Sequence, residues 1–414
     1  MASWAEHAIW WHVYPLGFVG AEAALDPEAP VVHRLPRLEN WLDYAVDLGC
    51  SGLLLGPVFA AETHGYDTID HLRIDPRLGD DEDFDHLVAA AGARGLRILL
   101  DGVFNHVGRS FQAPPEWFRD EVFEGHEHLV VLNHEEPGVV QYVVDVMCHW
   151  LDRGIDGWRL DAAYAVPPSF WPQVLAQVRP RYPDAWFVGE VIHGDYAGYV
   201  EQSGLDSVTQ YELWKAIWSS LNDGNFFELA HALKRHDELL DTFVPQTFVG
   251  NHDVTRIASQ LEDERHLGHA LAILFAVAGV PSVYAGDEQG FHGVKEEREG
   301  GDDAIRPAFP AHPEELAEDG WPTYRTHQRL IGVRRRNAWL VRARTTVEHL
   351  TNQTIALRSE GDGRVLVLLN LSDQPYRFPL DTTGLTVAVL PEGTADPEEL
   401  AVVHSHSWSV LTSG

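Results

Sequence analysis

Residues 96–106 read LRILLDGVFNH. A short apolar run ends on Asp101, turns at Gly102 and then offers Asn105 and His106. The run is too short for a helix, and near-continuous apolarity suits a strand buried on both faces, as in a parallel sheet covered by helices. The polar residues behind it are either a solvated loop or one edge of a site. Other strand ends decide between these readings.

The same pattern recurs seven more times. The runs are AIWWHVYP (8–15), CSGLLLGPV (50–58), GIDGWRLDAA (154–163), AWFVGEV (185–191), LDSVTQY (205–211), PQTFVGNHD (245–253) and GVPSVYAGDE (279–288). Amphipathic stretches separate them. RLPRLENWLDYAVDLG stops on Gly49, a helix-ending residue, and DEDFDHLVAAAGARG carries acids in its first turn and stops on Gly95. Eight strands alternating with helices predict an α/β chain closed as a (β/α)8 TIM barrel. An open doubly wound sheet is the rival, but no GxGxxG follows the first strand. From about residue 340 the texture alternates, turns at GDG and resumes, which predicts a small antiparallel β domain. The expected division is a barrel over 1–338, with a short excursion after the third strand at 107–132, and a C-terminal β domain over 339–414.

Composition narrows the function. Lys and Arg number 30 and Asp and Glu 63, a formal charge of −33. That sign repels nucleic acid and anionic membrane and suits a neutral substrate. No segment is long and apolar enough to read as a membrane span, and no leader is evident, so a cytoplasmic enzyme is expected. Cys50 and Cys148 sit in apolar surroundings and read as buried free thiols. Trp10 and Trp158 lie inside apolar runs and read as core.

In a barrel, function gathers at the C-terminal ends of the strands. Those ends carry Asp101, Asn105 and His106 (third), Arg159 and Asp161 (fourth), Glu190 (fifth), Asn251, His252 and Asp253 (seventh), and Asp287 and Glu288 (eighth). One carboxylate at a strand end is usually a cap or a salt-bridge partner. Carboxylates at five ends of one rim would repel each other unless a site used them.

Four of these segments, DGVFNH, GWRLDAA, FVGEV and FVGNHD, stand in the order of the four motifs of the α-amylase family of glycoside hydrolases (family 13), which the chain resembles. HGYDTIDHLRIDPRLG (64–79) resembles that family's segment after the second strand. GEVIHGDYAGYVEQSGLDSVTQYELWKAIWSSLNDG resembles the neopullulanase and cyclomaltodextrinase branch; of that branch's short Met-Pro-Lys-Leu-Asn signature, LVVLN (129–133) keeps the Leu-Asn and lacks the Pro-Lys. The resemblance implies a nucleophile at Asp161, a general acid/base at Glu190 and a third catalytic carboxylate, Asp253, that grips sugar hydroxyls. Arg159 would keep Asp161 ionised, while the acidic rim keeps Glu190 protonated. His106, His252 and Asp67 would bind hydroxyls and Tyr66 would stack beneath a ring. Asp101, Asn105, Asn251 and Arg256 are supporting residues, and Asp287 and Glu288 support the rim.

The implied activity is a retaining α-glycoside hydrolase cleaving α-glucosidic bonds in short, branched or cyclic maltooligosaccharides. An α-glucan transglycosylase would use the same site. A non-catalytic binding member of the fold would be marked by loss of a carboxylate, and all three are present. No cofactor is required. Relatives often hold calcium beside the equivalent of Asn105, but with so short an excursion calcium is admissible and not expected. The pairs HEH (His126, His128) and HSH (His404, His406) show no third ligand nearby in sequence, so no metal site is expected. The partner is a small α-glucan, and the chain is a monomer or homodimer.

Overall fold

All eight apolar runs contain a strand in the computed structural model, which describes residues 3–298, 300–394 and 399–413. The strands are β1 (Trp10–Val13), β2 (Gly52–Leu55), β3 (Arg97–Gly102), β4 (Gly157–Leu160), β5 (Trp186–Gly189), β6 (Ser207–Val208), β7 (Gln246–Thr247) and β8 (Val280–Tyr284). Every residue in them is buried except Arg97 at the start of β3. Burial on both faces is why these runs are continuous rather than alternating. Trp10 and Trp158 are fully buried, and both cysteines are free and buried.

The strands run in the order β6-β5-β4-β3-β2-β1-β8-β7, the order of a (β/α)8 barrel. Pairing is parallel from β1 through β6 and again between β7 and β8. The backbone N–H of Gln210, two residues after β6, donates to the carbonyl of Gln246 in β7 at 2.9 Å.

Helices follow the strands: α1 (Leu42–Leu48), α2 (Asp81–Ala93), α3 (Pro137–Asp152), α4 (Phe170–Val178), α5 (Tyr196–Ser203), α6 (Tyr211–Asn222), α7 (Leu267–Ala276) and α8 (Trp321–Arg336). Gly49 ends α1 with φ 101°, as its position in the sequence predicts. Asp80 caps α2 by accepting from the N–H groups of Glu82 and Asp83, and Asp83 returns the bond. A box of this kind is worth about 1 kcal/mol. Gly157 is required for a different reason: a Cβ there would collide with the carbonyl oxygen of Trp186 on β5.

The chain packs as two compact units, one of residues 1–209 with 306–316 and the other of 210–305 with 317–414. In the first, the excursion after β3 is not a plain loop. His106–Gly108, Leu129–Leu132 and Phe118–Val122 zip into a three-stranded antiparallel sheet, with 129–132 in the middle. LVVL, buried at Leu129 and Leu132 and half-buried between, supplies the central strand.

The second unit holds the C-terminal sheet, β9 (Thr345–Leu350), β10 (Thr354–Glu360), β11 (Arg364–Asn370), β12 (Leu385–Val389) and β13 (Ser407–Ser413). It is antiparallel in the order β9-β10-β11-β13-β12. One face is closed by Ala356, Leu366, Leu368, Phe378, Leu385, Val403 and Leu411. Fully burying each large member stabilises by about 1.5–3 kcal/mol. No helix among the described residues is long and apolar enough to cross a membrane.

Candidate active site

The first unit builds the site from the ends of β3, β4 and β5. Leu160 and Gly189 are register partners, so Asp161 and Glu190 are each the next residue on neighbouring parallel strands. Strands lie about 4.8 Å apart, which puts the two carboxyls side by side. Just past Asp161, Ala162 takes the left-handed conformation, φ 44°. That costs roughly 1–2 kcal/mol for a residue with a Cβ, and it turns the Ala162 N–H onto Glu190 Oε2 at 3.0 Å.

One guanidinium joins the carboxylates. Arg159 Nη1 donates to both oxygens of Asp101, at 2.7 and 2.6 Å, and to Asp161 Oδ1 at 3.1 Å. Arg159 Nη2 reaches Glu190 Oε1 at 2.7 Å. All four side chains are buried. Tyr66, also buried, donates its hydroxyl to Asp101 Oδ2 at 3.1 Å.

Opposing influences act on the Asp161 carboxyl. Burial pushes its carboxyl well above the usual carboxylate range. Arg159 opposes that shift, but its single charge is divided among three carboxyls, and Glu190 and Asp101 add repulsion. Asp101 is pushed up to about 6 by burial, against the pull of Arg159. Three buried carboxylates around one cation would leave two uncompensated charges, so the cluster keeps a proton.

His106 is buried, and burial lowers its pKa to about 3, so it is neutral. Asn105 Nδ2 donates to its Nδ1 at 3.1 Å, which leaves the ring proton on Nε2. That Nε2 is buried and makes no well-formed hydrogen bond, its weak contact being with the Tyr66 backbone, and Asp67 Oδ1, 3.9 Å from His64 Nδ1, is likewise without one. Asp67 Oδ2 accepts from Thr63 at 2.5 Å. A buried donor and a buried acceptor left unsatisfied are costly. A sugar hydroxyl, which both donates and accepts, would satisfy either.

The excursion touches this group. Phe123 stacks on His106 with ring centroids 4.4 Å apart and planes 13° from parallel. The next residue, Glu124, has φ 48° and accepts from the Tyr164 hydroxyl at 2.6 Å. On the other side the Arg306 guanidinium lies 4.7 Å from the Tyr14 ring centroid and 6.0 Å from that of Tyr66. Sequence reasoning missed Phe123, Glu124, Tyr14 and Arg306, none of which stands in a motif. Tyr164, three residues beyond Asp161, was within its reach.

The remaining sequence-identified residues belong to the second unit. Asn251 Nδ2 donates to the Tyr211 hydroxyl at 2.9 Å, and its Oδ1 accepts from the Asp253 N–H at 2.8 Å. His252 is buried. Asp253 Oδ1 pairs with Lys295 Nζ at 2.6 Å, a partner that sequence did not suggest. Buried Arg256 pairs with Asp287 Oδ1 at 2.8 Å and lies over the Tyr284 ring at 4.3 Å. Glu288 Oε2 accepts from the Gly286 N–H at 3.0 Å.

A calcium ion beside Asn105 would have to gather oxygen ligands from this part of the chain. It takes about six to eight oxygens. The Asn105 carbonyl accepts from the Leu132 N–H at 3.0 Å. The two side-chain clusters able to gather round an ion among the described residues are Asp263 with His266 and His406, and His33 with Asp80 and Asp83. Neither draws on residues 105–134.

The model of the α-amylase catalytic domain matches residues 37–127 and 116–340. A cyclomaltodextrinase from Geobacillus thermopakistaniensis is 26% identical, over 96% of this chain and 75% of its own length. Neopullulanase 2 from Thermoactinomyces vulgaris is 30% identical, over 89% of this chain and 70% of its own. Among solved structures, the cyclic α-maltosyl-(1→6)-maltose hydrolase from Arthrobacter globiformis superposes with a TM-score of 0.82 at 25% identity, covering 99% of this chain and 100% of that one.

Proposed function

Because the chain belongs to the α-amylase family of glycoside hydrolases, in its neopullulanase and cyclomaltodextrinase branch, we propose that it is a retaining hydrolase of α-glucosidic bonds in short or cyclic maltooligosaccharides. The observation that carries the reading is the Arg159 fork. It holds Asp161 by one nitrogen and Glu190 by the other, on neighbouring strands in matched register. Retaining glycosidases need two carboxyls about 5–5.5 Å apart.

In this reading Glu190 protonates the leaving oxygen while Asp161 attacks C1 and forms a glycosyl–enzyme ester. Glu190, now ionised, takes a proton from water, whose oxygen displaces Asp161. Two inversions restore the α configuration. The proton retained in the carboxylate cluster is the one this chemistry spends and recovers. His106 Nε2 and Asp67 bind hydroxyls of the reacting sugar and Tyr66 lies beneath it; the family resemblance assigns hydroxyl binding to His252 and the third catalytic carboxylate to Asp253. Transfer to a sugar would use the same ester, but the related enzymes bear the names of hydrolases.

The catalytic barrel is assigned to 1–338, the excursion to 107–132 and the C-terminal β domain to 339–414. A cytoplasmic location accords with two buried free thiols and strong negative charge.

The small excursion favours small substrates. Its Phe123–Gly125 turn stacks on His106 and ties to Tyr164, so binding energy comes mainly from subsites beside the scissile bond. Digestion of linear, branched and cyclic α-glucans, followed by proton NMR, tests this. Cyclic and short maltooligosaccharides should show higher kcat/KM than soluble starch, and the α-anomer should appear first. Preferential loss of starch would reject the substrate class, and a leading β-anomer would reject the double displacement.

We propose that no cofactor takes part in the reaction. Calcium returned to metal-stripped protein should then leave both Tm and hydrolysis unchanged. Recovery of either with calcium would show that the excursion binds it.

A further inference from the structure

Of the two close histidine pairs in the sequence, HSH at 404–406 meets partners that sequence could not display. Asp263 caps the turn Glu264–His266 by accepting from the Arg265 N–H at 3.0 Å, and that turn leads directly into α7. His266 is therefore fixed at the start of a buried helix. His406 immediately precedes β13 and has φ 47°, a conformation residues with a Cβ seldom take. Its N–H donates to the Ser372 carbonyl at 3.2 Å, which holds the strained turn and directs the ring inward.

Three atoms converge there. His266 Nε2 lies 3.1 Å from His406 Nδ1, and Asp263 Oδ2 lies 3.9 Å from each of them. A point equidistant from three atoms so spaced is about 2.1 Å from each, within the 2.0–2.2 Å of zinc–nitrogen and zinc–oxygen bonds. The outer partners are those of a metal centre. His406 donates its other ring nitrogen to Asp373 Oδ1 at 2.8 Å, the carboxylate–histidine pairing that orients a ligating imidazole. Arg265 forks onto Asp263 at 2.6–3.1 Å and fixes that carboxylate. The two histidine side chains are 9% and 13% exposed and Asp263 30%, so the ligands are ordered yet open to an ion from solvent.

We propose that Asp263, His266 and His406 form a binding site for a divalent transition metal of the zinc class, with water as its fourth ligand. The ion clips the start of α7 to the start of β13. Without metal, His266 Nε2–H donates to His406 Nδ1, and the two ring planes lie 21° from parallel. On binding, the His266 proton moves to Nδ1, both rings tilt so that their lone pairs meet at the ion, and no net proton is lost. The site uses none of the residues assigned to catalysis, so it stands apart from the hydrolase reading.

Untagged, chelator-stripped chain should be titrated with zinc chloride by calorimetry and with cobalt(II) in the visible spectrum. The expected result is one equivalent bound at micromolar or tighter Kd, a raised Tm, and cobalt bands of tetrahedral intensity. Magnesium and calcium should do neither. His406→Ala and His266→Gln should each weaken zinc binding at least 100-fold while hydrolysis stays unchanged. Absence of stoichiometric binding in the wild-type chain would overturn the proposal whatever the variants do. Undiminished binding in both variants would assign the ion elsewhere, among the other histidines, and overturn it equally.

Discussion

Asp161→Asn is expected to lower turnover by on the order of 10⁴-fold or more while leaving the chain folded. An amide cannot form the glycosyl–enzyme ester, so the double displacement stops at its first step. The fold survives for reasons visible in the cluster. Asparagine has nearly the same shape, and its oxygen can still accept from Arg159 Nη1, now 3.1 Å from Asp161 Oδ1. The substitution also removes one ionisable carboxyl from a buried group that already holds more of them than one guanidinium can neutralise. Tm should therefore hold or rise, and thermal melting beside initial rates on a cyclic substrate checks both halves. Retained turnover would remove Asp161 as nucleophile. Lost turnover with collapsed Tm would instead mark it as structural.

What was legible in the sequence was what local pattern determines. Full burial on both faces writes itself as an unbroken apolar run, and each strand end follows directly in sequence. Asp101, Arg159, Asp161 and Glu190 could thus be placed at neighbouring strand ends before any geometry was known. Gly49 was legible because a helix end needs its left-handed turn. What stayed hidden depends on chain segments far apart. Nothing in VFEG shows that Phe123 stacks on His106 or that Glu124 meets Tyr164 forty residues on. Lys295, 42 residues from Asp253, stands in no motif, and His266 and His406 are separated by 140. For Asp161 the sequence displayed one neighbour, Arg159, where the folded cluster sets that neighbour beside burial and two further carboxylates.

Arg159→Met should show how much that one neighbour contributes, and at what pH. Removing one partner from a buried ion pair costs about 3–5 kcal/mol, because the remaining charge stays buried and uncompensated. Here Arg159 faces Asp101, Asp161 and Glu190 together, so the full loss is expected once the carboxyls are ionised. The sign follows from linkage. Asp101 already sits at about 6, raised by burial and held down by Arg159. A carboxyl raised above its unfolded value contributes stability at low pH that disappears as pH rises through the folded pKa. Without the guanidinium, Asp101 and Asp161 rise further and the folded variant keeps their protons to higher pH. Its stability deficit against the wild type should accordingly be small near pH 5 and open as pH passes 6 toward 8. Denaturant melts at both values measure it. Turnover should fall on the order of 10²-fold or more even where the variant is folded, since Asp161 and Glu190 lose their shared donor. Arg159→Lys should restore part of the pH dependence but little of the rate, because a single ammonium nitrogen does not reproduce the two nitrogens, held in one plane, that face Asp161 and Glu190. A deficit that does not change between pH 5 and pH 8 would mean that Arg159 acts through packing alone, and the reading of the cluster as a proton-holding unit would fail.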